Sequence, residues 1–249
     1  MTNLLAAEIL KLRSTRTFWT VAGITLALVV VTTIADLASG GAPENADDFG
    51  AFIAVAGIAG LSMLILGVVG SAGEYRHGTI TSTLLVAPDR VRVLVAKSLA
   101  HGMAGIALAI VSLLLMLAIT LPWLNGDGES LGSIGVGASE LMGDSAEQFA
   151  YVALTAMLGV ALGALLTNQV AALVVVPAIL IVVDPLLTVL VDAYGRFSLS
   201  GIWASVGGES GEDAGFEIFS PLAGSLIYLG YVAALTAATA IVDRHRDVS

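Results

Sequence analysis

The chain has 249 residues, of which 57% are apolar and 12% charged, and its mean hydropathy of +0.95 lies far from soluble globular averages. The net charge of −10 is carried mostly by segments poor in Lys and Arg, and that acidic surface argues against nucleic-acid binding, which needs a basic footprint. The absence of cysteine excludes disulfides and thiolate metal sites.

The first element is residues 3–16. Leu5, Ile9 and Leu12 recur at helical spacing on one face and Glu8, Lys11 and Thr15 on another, which predicts an amphipathic helix at a membrane surface. A plain basic anchor, with Lys11 and Arg13 at the lipid headgroups, needs the same residues. Basic residues before an apolar run, with Ala38-Ser39-Gly40 after it, imitate a secretory signal. The run exceeds the usual h-region length, so it reads as a span.

Crossing a hydrocarbon core of about 30 Å takes about 20 apolar residues. Six segments meet that length: Phe18–Ala35, Phe49–Ala72, Leu99–Leu121, Phe149–Leu166, Val170–Leu190 and Ile218–Val242. No alternating strands of barrel type occur, so the pattern predicts an all-α, polytopic membrane protein of one domain. Its parts are a leading interfacial helix at 1–17, two spans in 18–72, a loop at 73–98, and four spans with a tail in 99–249. Nine of the ten Lys and Arg residues lie on alternate sides of the spans. Lys11, Arg13 and Arg16 precede the first; Arg76, Arg90, Arg92 and Lys97 separate the second and third; Arg244 and Arg246 follow the last. Only Arg196 breaks the rule. Short basic loops stay in the cytoplasm, which predicts a cell-membrane protein with both termini cytoplasmic. A basic inner rim also suits anionic lipids.

Motifs for chemistry are scarce. Neither lysine sits in a Gly-Lys-Ser/Thr P-loop, so ATP hydrolysis by a Walker motif is excluded from this polypeptide. His77, His101 and His245 lie at the predicted inner boundary without metal-ligand spacing. The acids Glu209, Glu212, Asp213 and Glu217 lack EF-hand spacing and read as a solvated loop. These patterns predict no catalytic residue, no bound metal and no cofactor. Asp184 is the one acid deep in a span, where an ionisable group suggests an ion or proton path. It precedes Pro185, and Asp-Pro also suits the cap and first position of a new short helix, with Pro185–Tyr194 as a re-entrant or surface piece. Pro177 implies a kink in the same span. Gly159 and Gly163 have the four-residue spacing of close helix packing.

The stretch Gly73–Ser98 is the most patterned loop. Glu74 and Arg76 follow a span directly, Ile80, Leu84 and Leu85 form one helical face, Pro88 ends that helix, and Arg90, Arg92 and Lys97 lead into the third span. A docking helix and an ordinary interfacial connector both fit.

Glu74, Gly78-Thr79-Ile80, Leu84-Leu85, Pro88, Arg90 and Lys97, with Glu8-Ile9-Leu10-Lys11-Leu12-Arg13 before Phe18-Trp19, resemble ABC-2-type transporter permeases. The six-span layout, the short turn before the fifth span and the long outer loop before the sixth agree. The resemblance implies a permease working with a separate ATP-binding-cassette subunit that binds ATP and Mg. It implies a cytoplasmic coupling helix between the second and third spans, and a second permease copy or paralogue. Glu74, Arg76, Gly78, Thr79 and Pro88 then become the docking residues, and Arg90 and Lys97, with Lys11 and Arg13, the headgroup anchors. Export of an amphipathic or hydrophobic substrate follows from the same resemblance. Two alternatives from other classes are an ion- or proton-coupled secondary transporter using Asp184 and a non-transporting membrane scaffold.

Overall fold

A computed structural model of the chain describes residues 1–191, 194–206 and 216–244. His245, Glu209, Glu212, Asp213 and Arg246 lie outside the described residues. Those described are helical or in connecting turns, with no strand among them. Six helical runs are long and apolar enough to cross a membrane, which makes this a multi-pass membrane protein.

The runs are α1 (Thr2–Ser14), α2 (Arg16–Ala38), α3 (Ala46–Ala54), α4 (Ile58–Arg76), α5 (Thr79–Val86), α6 (Arg90–Gly126), α7 (Ala138–Leu166), α8 (Gln169–Ala178), α9 (Asp184–Leu190), α10 (Leu199–Val206) and α11 (Pro221–Arg244). The expected spans are all present, with boundaries that differ for physical reasons. The second, expected as one helix over Phe49–Ala72, is α3 and α4 joined by a 3-10 turn at Val55–Gly57. Gly57 sits at that turn against Gln148 and Tyr151. The third begins at Arg90, because Asp89 accepts the Arg92 backbone N–H at 3.1 Å and caps it. Arg90, Arg92 and Lys97 thus belong to the first turns of α6, while Arg76 ends α4.

The fifth span does not break at Asp184. It runs helically from Gln169 to Leu190 through a π-turn at Ile179–Val183, closed by the Asp184 N–H on the Ile179 carbonyl. Pro177 and Pro185 each lack an N–H, and inserting one residue between them re-registers the ladder. The span is therefore continuous, not a helix followed by a re-entrant piece. The inserted element lies further on. Helix α10, hidden in the expected outer loop, buries Ile202 and Val206 completely. Ser198 starts it, its Oγ accepting from the Gly201 N–H at 2.8 Å.

Helix α7 is the hub, packed on α4, α6 and α11. Small residues permit its closest approach. A Cβ at Gly159 would run into the Leu64 carbonyl of α4, and one at Gly163 would stand 2.6 Å from the Val68 carbonyl oxygen. The spacing read as a packing signal therefore lies where two helix backbones nearly touch. Leu64, Val68, Leu158, Val176, Ile202 and Tyr228 form a core on one side of α7. Met63, Leu66, Leu108 and Val152 form a second core with α2.

Both described ends of the chain lie at one end of the bundle. Ala240 of α11 shares a cleft with Pro88–Val91, where α6 begins, and α1 packs along α6.

Candidate functional site

The ends of α1, α4, α5 and α6 converge on four charged side chains. Lys97 Nζ lies 2.6 Å from Glu8 Oε2 and 2.8 Å from Glu74 Oε1. Lys11 Nζ lies 2.6 Å from Glu8 Oε1 and 3.0 Å from the same Glu74 oxygen, and donates to Thr83 Oγ1 of α5 at 3.2 Å. Glu8 is 1% exposed and Lys97 5%. Two cations and two anions thus close a neutral ring, in which the buried Glu8 or Lys97 would be costly without a partner. Local helix formation places each member. Glu8 and Lys11 are one turn apart on α1, Glu74 lies in the last turn of α4, and Lys97 projects from the second turn of α6.

The ring changes the reading of several sequence-identified residues. The face of α1 carrying Glu8 is turned into the bundle, with Leu5, Ile9 and Leu12 only half-buried. Glu74, expected at a docking surface, faces the two lysines. Lys97, expected at the headgroups, is buried and paired, and Lys11 is drawn into the same ring. Arg13 and Arg76 are exposed, and Arg76 reaches Gln169 Oε1 at 3.3 Å. Arg90 is half-buried.

Helix α5 stands out from this base. Gly78 turns the chain at φ +67°, a region that favours glycine, and α5 ends before Pro88. Ile80 is buried and Leu84 half-buried beside Val93 and Leu94. Leu85, expected on that same face, is instead 82% exposed, and Val86 is 88% exposed. An eight-residue helix cannot turn residues 80, 84, 85 and 86 to one side, since consecutive positions are 100° apart. Pro88 and Asp89 are exposed just beyond this tip, and Thr79 is exposed at the opposite end of the helix.

Burial pushes the Glu8 carboxyl up, but Lys97 and Lys11 together outweigh it and hold the group below its ordinary value. For Lys11, burial acts downward, and Glu8 and Glu74 reverse it, holding the ammonium above its ordinary value. A depressed carboxyl contributes stability that is complete above its unfolded value of 4.5 and lost as pH falls through the folded value. Lys11 contributes in the opposite sense, fully below 10.5 and lost as pH rises beyond it. Acidification below 4.5 is therefore expected to lower the melting temperature more steeply in the native protein than in Glu8→Gln, measured as the difference between the two pH curves. Parallel curves would show that Glu8 is not depressed.

Asp184 lies elsewhere and is 2% exposed. Its carboxylate accepts from the Tyr194 hydroxyl at 2.8 Å and from the backbone N–H groups of Leu199 and Ser200 at 3.0 and 2.9 Å. Those amides open α10, so Asp184 caps a helix, though a different one from that which Asp184-Pro185 begins. At the hub, Trp203 Nε1 donates to Tyr228 Oη at 2.7 Å, and Tyr228 donates to Thr155 Oγ1 at 3.0 Å, tying α10, α11 and α7 together. No cluster of three or more His, Asp or Glu side chains suited to a metal occurs among the described residues.

No protein-family model matches the chain, and no curated protein matches it.

Proposed function

We propose that the chain is the membrane-spanning permease subunit of an ABC exporter for an amphipathic or hydrophobic substrate, driven by a separate ATP-binding-cassette subunit that holds ATP and Mg. The observation that carries the reading is α5. It is a short helix between two spans whose tip offers Leu85 and Val86 to the outside while its base is held by the charged ring. Leu85 and Val86 are adjacent, more than 80% exposed and next to the polar Pro88–Arg90 turn, which suits them to burial by another protein. The absence of a P-loop fits the division of labour. In this reading the α5 end faces the cytoplasm, in line with the basic residues there, and two permease chains form the pathway.

The docking contact is Leu85 and Val86 with the exposed Pro88 beyond them, Thr79 and Arg76 lie exposed at the other end of α5, and Glu74 shapes the base from within. Leu85→Asp with Val86→Asp is therefore expected to remove a co-purifying ATPase subunit and the ATPase activity that travels with it. Folding should be unaffected, because neither side chain is buried. Retention of the ATPase by the folded double variant would end the docking assignment. Proton coupling through Asp184 is disfavoured by its bonding, since three donors already hold the carboxylate.

A further inference from the structure

At the end of the bundle away from the charged ring, the 3-10 turn of the second span, α7 and α10 border an open cavity of about 310 Å³, at the lower end of the range for small-molecule sites. Gly57, in that turn, stands about 25 Å along α4 from Glu74. Ala54, Gly57 and Ala204 give the cavity a floor of small residues. Tyr151 and Trp203 give it an aromatic wall, their rings edge to face at 5.9 Å. The Trp203 indole N–H is turned away and committed to Tyr228. No charged side chain lines the cavity among the described residues.

Two polar side chains line the cavity, and toward a ligand both can only accept. Gln148 is 4% exposed, and its amide bonds no protein group among the described residues. Nε2 is buried, packed 3.0 Å from where a Cβ on Gly57 would stand, so a ligand does not reach it. The carbonyl oxygen Oε1 is the half of the amide left with open surface. Ser200 is exposed, and its Oγ lies 3.0 Å from Ser198 Oγ. Ser198 donates its own proton to the Gly195 carbonyl, so Ser200 is the donor of that pair and keeps only lone pairs for the cavity. An amide carbonyl held inside a bundle with no donor is costly.

We infer that this cavity binds a small neutral aromatic molecule that carries an N–H or O–H donor. Its ring lies against Tyr151 and Trp203, and its donor meets Gln148 Oε1. An ammonium would also donate, but the wall holds no anion to offset the loss of its hydration. A carboxylate or phosphate meets only acceptors. An alkyl chain fills the volume and leaves the carbonyl bare. Water satisfies the carbonyl but leaves the two rings wet. The inference does not depend on an ATPase partner, and the isolated chain suffices to test it.

The chain in detergent is dialysed to equilibrium against indole and, separately, against benzofuran, which keeps the bicyclic shape and lacks the N–H. A protein-free detergent blank is subtracted from each. Indole is expected to bind about tenfold more tightly than benzofuran, the scale of one hydrogen bond to an otherwise unpaired acceptor. Indole-3-acetate, the same ring with a carboxylate, is expected to bind at least as weakly as benzofuran. Gln148→Leu, similar in size and without the acceptor, is expected to bring indole and benzofuran to parity. Its melting temperature should not fall, because the amide holds no protein group in place. Ala54→Trp, which fills the cavity from its floor, is expected to abolish binding of both rings. Equal binding of indole and benzofuran by the native chain, or binding of neither, overturns the assignment. So does a preference for indole that survives Gln148→Leu, or indole binding that survives Ala54→Trp, in folded protein.

Discussion

Glu8→Ala is expected to lower the unfolding free energy by about 3 kcal/mol, while Glu8→Leu with Lys97→Met restores most of that loss. The asymmetry follows from burial. Glu8 and Lys97 are both inside the bundle, 2.6 Å apart. Removing the carboxylate leaves the ring with two ammonium groups and only Glu74 to balance them. Removing a cation and an anion together leaves Lys11 with Glu74 at 3.0 Å, an intact pair, and replaces the rest with apolar volume. Thermal or denaturant unfolding in detergent, followed by tryptophan fluorescence, reads the difference. Strictly additive costs in the double variant would show that the two side chains do not act as a pair. The same substitution should loosen α1, because Glu8 is its only fully buried residue.

The second large effect is expected at Gly159. A methyl group there meets the backbone carbonyl of Leu64 on α4, so no side-chain rotation relieves the clash and the helices must separate. Gly159→Ala should cost about 3 kcal/mol, at the upper end of overpacking penalties, and Gly159→Leu should prevent recovery of folded protein. Gly23→Ala is the control. It is also a glycine inside a helix, but its Cβ meets nothing within 4 Å. It should be neutral or gain up to about 1 kcal/mol from helix propensity. Equal stability of Gly159→Ala and Gly23→Ala would mean that the α4–α7 contact is looser than described.

What the sequence revealed depended on the range over which each feature acts. Each span is an unbroken apolar run, so periodicity and length found all six, and Gly159-x-x-x-Gly163 signalled close packing. Boundaries moved where a cap or a 3-10 turn outweighed hydropathy, as at Asp89 and Val55–Gly57. The charged ring was not legible, because Glu8 and Lys97 are 89 positions apart and each has an ordinary local explanation, one as a surface acid and the other as a headgroup lysine. Glu74 stands out in the sequence only as a loop acid next to a span, and the direction of its side chain is set by two lysines on other helices. Asp184 shows the same division. Its pairing with Pro185 signalled a helix start, yet the amides it caps lie 15 and 16 positions further on. Helix α10 was missed because its eight residues are too few for a periodic signal. The one local cue was Ser198 ahead of an apolar run.

Helix α6 has 37 residues, a rod of about 55 Å, nearly twice the roughly 30 Å thickness of the hydrocarbon layer. Near one end Lys97 is clamped in the charged ring; near the other, Met116 and Leu124 are seated among Leu37, Phe49, Phe52 and Ile53. A stiff body gripped near both ends behaves as a lever. Tilting it by about 10° would carry one end roughly 10 Å relative to the other, given its length. Rearrangement of the ring around Lys97 would therefore reach the far cluster as a large sideways displacement, with no chain of small adjustments needed between them.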